Sequence, residues 1–224
     1  MADAWHRRVL EPRAGLFAAL TTVTMAIGGI VEIVPMYTST IPVMDGVTPY
    51  TPLEVAGRDI YVREGCYNCH SQMVRPMRAE TLRYGEWTRA GEYMYDRPFQ
   101  LGSRRIGPDL QRVGGKYPDA WHYQHMRDPR STTPGSIMPA YTWLYNDNVD
   151  PTDALASITA LHRLGTPYEV GSTQADLAAQ QASISASLAQ SGITEAPERE
   201  IVAVIAYLQR LGVDGKAALA KVEP

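Results

Sequence analysis

The chain has 224 residues, 45% of them hydrophobic, and 21 Lys plus Arg against 24 Asp plus Glu give a formal charge of -3. That suffices for one ordinary domain with an extra element, and without a basic excess to neutralise a phosphate backbone it excludes nucleic acid as a partner. Two cysteines exclude a disulfide-stapled scaffold and a Cys₄ metal site, while 18 Gly and 16 Pro point to many turns.

The first element is an uncharged run from Ala14 to Val31. Extended through Glu32 to Val34, it makes about 31 Å of helix at 1.5 Å per residue, matching a hydrocarbon core of roughly 30 Å. Gly28 and Gly29 suit close packing between membrane helices. A cleaved signal peptide and a buried soluble helix share parts of this pattern. The chain starts at Met1 and the remainder is too polar to bury such a helix, so the expectation is a retained anchor over residues 1–36. Arg7, Arg8 and Arg13 precede it; Glu32, Asp45, Glu54 and Asp59 follow. The positive-inside rule therefore places the short N-terminus in the cytoplasm and the remaining residues outside. Glu32 reaches either headgroups and water or a neighbouring protein helix.

Residues 37–52 read as a short, proline-bearing linker. Leu53–Glu64 reads as an amphipathic helix with Gly65 at its turn. It delivers Cys66-Tyr67-Asn68-Cys69-His70, the arrangement for covalent attachment of one haem c through two thioethers, with His70 as the proximal ligand. A thioredoxin-like pair, a disulfide and a zinc site each explain fewer of these residues. The arginines between Arg97 and Arg112 read as a solvated face, with a haem-propionate or partner contact as the functional alternative.

The sixth ligand has two sources. His122 and His125 lie three apart in a short helix around Trp121 that closes at Asp128-Pro129, so either is within geometric reach. Met138, in Ser136-Ile-Met-Pro139, sits in a loop stiffened by Pro139. Met73, Met77 and Met126 read as packing filler. Three further helices are predicted: from Pro151 to about Leu164, a peripheral one from Ala175 to Gln190, and a strongly amphipathic one from Pro197 to Leu211 closed by Gly212. Residues 213–224 read as a tail, mobile from Lys216 onward.

These segments together resemble subunit II of the cbb(3)-type cytochrome c oxidases. The likeness is carried by the anchor with Glu32, Gly65-Cys-Tyr-Asn-Cys-His-Ser71, Gly107-Pro-Asp-Leu110, Val113-Gly114, Trp121-His-Tyr-Gln-His125, Asp128-Pro129, Ser136-Ile-Met-Pro139, Tyr141, and Glu200 to Gly212. The resemblance implies an all-α chain: one N-terminal transmembrane helix, then a class I cytochrome c-like domain over residues 53–212 with a helical insertion. It implies thioethers to Cys66 and Cys69, axial ligation by His70 and Met138, and a Pro108 carbonyl that accepts the His70 ring proton. It also implies an electron-transfer role in a bacterial inner membrane, between a dihaem cytochrome c subunit and haem b of a haem-copper catalytic subunit. Oxygen reduction and proton pumping then belong to that larger subunit, and this chain has no oxygen-reducing site. A free-standing anchored electron shuttle and a non-redox assembly subunit are the other readings.

Overall fold

The computed structural model describes residues 5–38, 42–168 and 174–221. The chain forms two compact units, Met1–Thr40 and Ile41–Pro224. The first holds α1 (Trp5–Val9) and α2 (Ala14–Thr38). Within α2 the apolar span Ala14–Pro35 covers 22 residues, none buried by the protein. A soluble core helix would be mostly buried, and about 33 Å of helix is enough to cross a bilayer. The Thr24 hydroxyl donates to the Leu20 carbonyl at 2.8 Å, which satisfies it without water. Glu32 is exposed on this helix, and the space beside Gly28 and Gly29 is open.

The second unit contains α3 (Pro52–Arg63), α4 (Arg78–Tyr84), α5 (Asp119–Arg127), α6 (Pro129–Thr132), α7 (Pro151–Arg163), α8 (Gln174–Gln190), α9 (Glu200–Arg210) and α10 (Val213–Leu219). Short 3-10 turns cover Cys66–Asn68, Ala90–Tyr93 and Thr142–Tyr145. The described residues hold no strand, only an isolated bridge between Asn148 and Arg199. The unit is all-α, with α7 and α8 inserted between the Met138 loop and α9.

The core is built on α9, every residue of which from Glu200 to Leu208 is buried. It crosses α3 at Gly57, where any Cβ would collide with the Ala203 carbonyl, so glycine lets the two backbones touch. Tyr207 of α9 takes Tyr50 and Tyr61 edge-on at 5.7 and 5.3 Å. Helix α3 starts sharply because Thr51 and Glu54 form a reciprocal capping box with Pro52 in the first turn. Helix α9 stops at Gly212, whose φ of +71° suits glycine.

Several sequence expectations change here. Residues 213–219 are helical rather than a loose tail: Asp214 accepts from the Thr48 N–H at 2.7 Å and from Arg210, and Gly215 and Ala218 are buried. The far half of the expected linker belongs to the packed unit, since Pro42 and Met44 lie against Gly91 and Tyr50 meets Tyr207 edge-on. Helix α8 is peripheral as expected: Leu177 and Leu188 form its buried side, at 1% and 0% exposure, while most of its other residues face solvent. Met126 is buried as filler, but Met77 is 47% exposed. Arg105 and Arg112 do not form a solvated face: Arg105 pairs with Glu80 and Asp109, and Arg112 with Glu92, because these carboxylates are themselves buried and need cations. Arg104 alone of these three is exposed.

Candidate haem site

The site begins where α3 ends. Gly65, at φ +69°, turns the chain into the 3-10 segment Cys66–Asn68. Its hydrogen bonds are local: Cys69 and His70 both donate N–H to the Cys66 carbonyl, at 3.1 and 2.9 Å. Cys66 is half-buried, Cys69 is exposed, and both are free thiols. Burial, reinforced by the nearby Glu64 charge, pushes the Cys66 thiol up to about 12.

His70 is held by the loop that precedes Asp109. Its Nδ1 donates to the Pro108 carbonyl at 2.8 Å. Gly107 lies flat against the ring, and a Cβ there would overlap the imidazole. With Nδ1 committed, Nε2 carries the lone pair. Burial holds His70 below its ordinary proton affinity, against the opposing pull of the Pro108 carbonyl, so the ring is neutral and able to bind a metal. The loop is stitched in place by Gly107 N–H to the Cys69 carbonyl at 2.9 Å and Leu110 N–H to the Ser71 carbonyl at 2.8 Å. Asp109, its side chain fully buried, accepts from the Ser71 hydroxyl at 2.6 Å and from the Met73 and Gln111 N–H groups at 2.8 and 2.9 Å.

Half-buried Cys66, Tyr67, Leu110, Tyr117, Met138 and Tyr141 all pack on the same hydrophobic core. Among the described residues no cluster of three or more His, Cys, Asp or Glu could cage a bare metal ion. A single lone-pair imidazole, a thioether, two free thiols and an apolar half-open surface fit an iron whose remaining ligands come from a flat macrocycle. The residues present therefore fit a haem.

The family described as cytochrome C oxidase, mono-heme subunit/FixO matches residues 7–214. The chain belongs to that family. No curated protein matches it. Membership makes this a mono-haem subunit of a cytochrome c oxidase, and the matched span takes in the whole apolar length of α2.

Within this FixO chain the other candidate ligands separate. His122 is 2% exposed with no partner on its enclosed Nε2, and burial lowers its proton affinity to about 4. His125 is half-buried, and its affinity is lowered first by burial and then by the neighbouring His70. Met138 donates its N–H to the Ser136 hydroxyl at 3.2 Å, and Tyr141 ties the same loop to α5 through the Met126 carbonyl at 2.9 Å.

Two features escaped the sequence reading. Asp109 was visible only as part of Gly-Pro-Asp-Leu, and its brace on Ser71 spans 38 residues of chain. The second is a ring stack of Tyr117, Trp121 and His125, with centroids 4.1 and 4.6 Å apart. The four-residue spacing of Trp121 and His125 was a readable helix-face signal, whereas Tyr117 lies just before α5.

Proposed function

We propose that this chain is the electron-transfer subunit of its oxidase, carrying one haem c bound by thioethers to Cys66 and Cys69, with His70 and Met138 as axial ligands. Electrons arrive from a dihaem cytochrome c subunit and leave towards haem b of the haem-copper catalytic subunit, where oxygen is reduced. The N-terminus is cytoplasmic and the haem domain periplasmic, at the bacterial inner membrane. The observation that carries this reading is the His70 ring, fixed as a neutral Nε2 donor by the Pro108 carbonyl at 2.8 Å and adjacent to two free thiols.

When bound, the haem supplies a one-electron iron couple. The chain does the rest. Pro108 sets the His70 tautomer and strengthens its donor nitrogen. Met138 offers a soft sulfur that favours the reduced metal and so raises the potential. Tyr67, Leu110, Tyr117 and Tyr141 present apolar surface that limits water beside the cofactor. The anchor argues for a fixed subunit rather than a shuttle: with residues 42–51 belonging to the packed domain, only residues 39–41 separate them from the end of α2.

The test is purification of the full chain in mild detergent. The denatured polypeptide should retain one haem by mass, and a haem-copper chain and a dihaem c chain should co-purify in stoichiometric amounts. Complete extraction of haem by acidified solvent overturns thioether attachment. A fully active chain with no retained partner overturns the fixed-subunit reading in favour of the shuttle.

A further inference from the structure

We propose that His125 is a reserve axial ligand, whose Nε2 takes the sixth position on the haem iron when Met138 leaves it. The inference rests on the haem reading above. The Thr132 hydroxyl faces the Pro129 carbonyl at 3.3 Å and His125 Nδ1 at 2.5 Å. In the tautomer where it donates to the carbonyl it accepts from His125, so the ring proton sits on Nδ1 and the lone pair on Nε2. The ring plane is set independently by the stack on Trp121, 4.6 Å away and tilted by only 11°, and Trp121 is itself stacked on Tyr117. Tautomer and orientation are thus both prepared, as they are for His70 by Pro108 and Gly107.

Position supports the same role. His70 is an electrostatic neighbour of His125. The Met138 loop is fastened to the same stretch of chain, through Tyr141 N–H to the Met126 carbonyl and Arg130 Nε to the Ser136 carbonyl at 3.2 Å. His122 is unsuited, because its Nε2 is sealed inside the protein. In the exchange the iron–sulfur bond breaks and an iron–nitrogen bond forms. In the Nδ1-protonated tautomer no proton moves, since Nε2 bears none, and the iron keeps its oxidation state. The product is a bis-histidine centre of lower potential, which slows electron entry while protecting the iron from external ligands.

The full-length holoprotein in detergent provides the test, read by electron paramagnetic resonance, resonance Raman and redox titration. Wild type should show the methionine–iron signature, and His125→Ala should keep it. Met138→Ala should be low-spin with two nitrogen ligands and a lowered potential, and Met138→Ala/His125→Ala should be high-spin. If Met138→Ala does not accumulate with haem, wild type and His125→Ala are compared after peroxide converts Met138 to its sulfoxide. Wild type should then become bis-nitrogen low-spin and His125→Ala high-spin. A high-spin Met138→Ala, or a double variant that stays bis-nitrogen, overturns this proposal alone. A wild type that already lacks the methionine signature overturns both this proposal and Met138 ligation.

Discussion

His70 and Met138 are held by segments built in opposite ways. Around His70, residues 69–73 and 105–111 interlock through backbone bonds at both ends and share the buried Asp109 carboxylate, to which Arg105 adds a charged contact at 3.4 Å. Around Met138, Thr133, Pro134, Gly135, Ile137, Pro139 and Ala140 are exposed, and Ile137 is 79% accessible. The loop rests on a few bonds of 2.9 to 3.2 Å to α5, α6 and its own Ser136. Buried, mutually satisfied polar groups make a rigid brace, whereas exposed loop bonds open at low cost. With His70 and Met138 as the proposed axial ligands, ligand loss is therefore expected first on the methionine side, which is where the proposed replacement by His125 is useful.

The largest effect belongs to the brace. Asp109→Ala leaves the Ser71 hydroxyl, the buried Gln111 N–H and the half-buried Met73 N–H without an acceptor and Arg105 with one fewer anion. Removing one member of such a buried charged network costs about 3–5 kcal/mol. Urea denaturation of the full holoprotein should show that loss, together with reduced haem incorporation as His70 loses its setting. A loss below about 1 kcal/mol, the size of one surface interaction, would mean that the brace is redundant and the comparison false.

Acid should separate the two sides by pH. His122, in α5, has a folded proton affinity lowered to about 4 by burial. Because that value lies below the unfolded one, the unfolded chain binds more protons between about pH 6.5 and 4, and stability falls as pH drops through that window. The slope is at most about 1.4 kcal/mol per pH unit, or about 3 kcal/mol in all. Glu80, which pairs with Arg105 beside the brace, behaves differently. Hydrogen bonds from Arg105 and then Arg75 outweigh burial and hold it at about 2. Its contribution is complete above about pH 4.5 and fades only towards pH 2. Stability measured against pH should thus flatten between 6.5 and 4 in His122→Phe, and between 4.5 and 2 in Glu80→Gln. Identical windows for the two variants would refute the separation.

How much of this was legible in the sequence follows the range of the forces involved. Helices α3, α7, α8 and α9 announce themselves by apolar spacing, Thr51-Pro52, Asp150-Pro151 and Gly212, all local signals. The Cys66–His70 turn is equally local. Helix α10 was hidden because Val213–Leu219 is only seven residues long and carries Gly215 near its middle; Asp214 secures it to Thr48 from 166 residues away. The buried roles of Arg105 and Arg112 were hidden for the same reason. Charge looks solvated in a sequence until the fold brings Glu80 and Glu92 inside with it.

The smallest effect on stability should come from Ser136→Ala, and it sharpens the comparison most. Ser136 accepts the Met138 N–H at 3.2 Å within a largely exposed loop, so water replaces the lost bond and global stability should change by about 0.5 kcal/mol or less. The local consequence is different. Without that bond the Met138 backbone samples more positions, and under the proposed ligation the thioether would leave the iron more often before any wider unfolding. Added imidazole, which can bind only after the sulfur departs, should then capture the ferric iron of Ser136→Ala at lower concentration than in wild type, while the urea midpoint stays where it was. Adding His125→Ala should increase imidazole affinity again, because the proposed internal competitor is gone. An unchanged imidazole affinity in Ser136→Ala would show that Pro139 and the α5 contacts, rather than Ser136, set the opening of the loop.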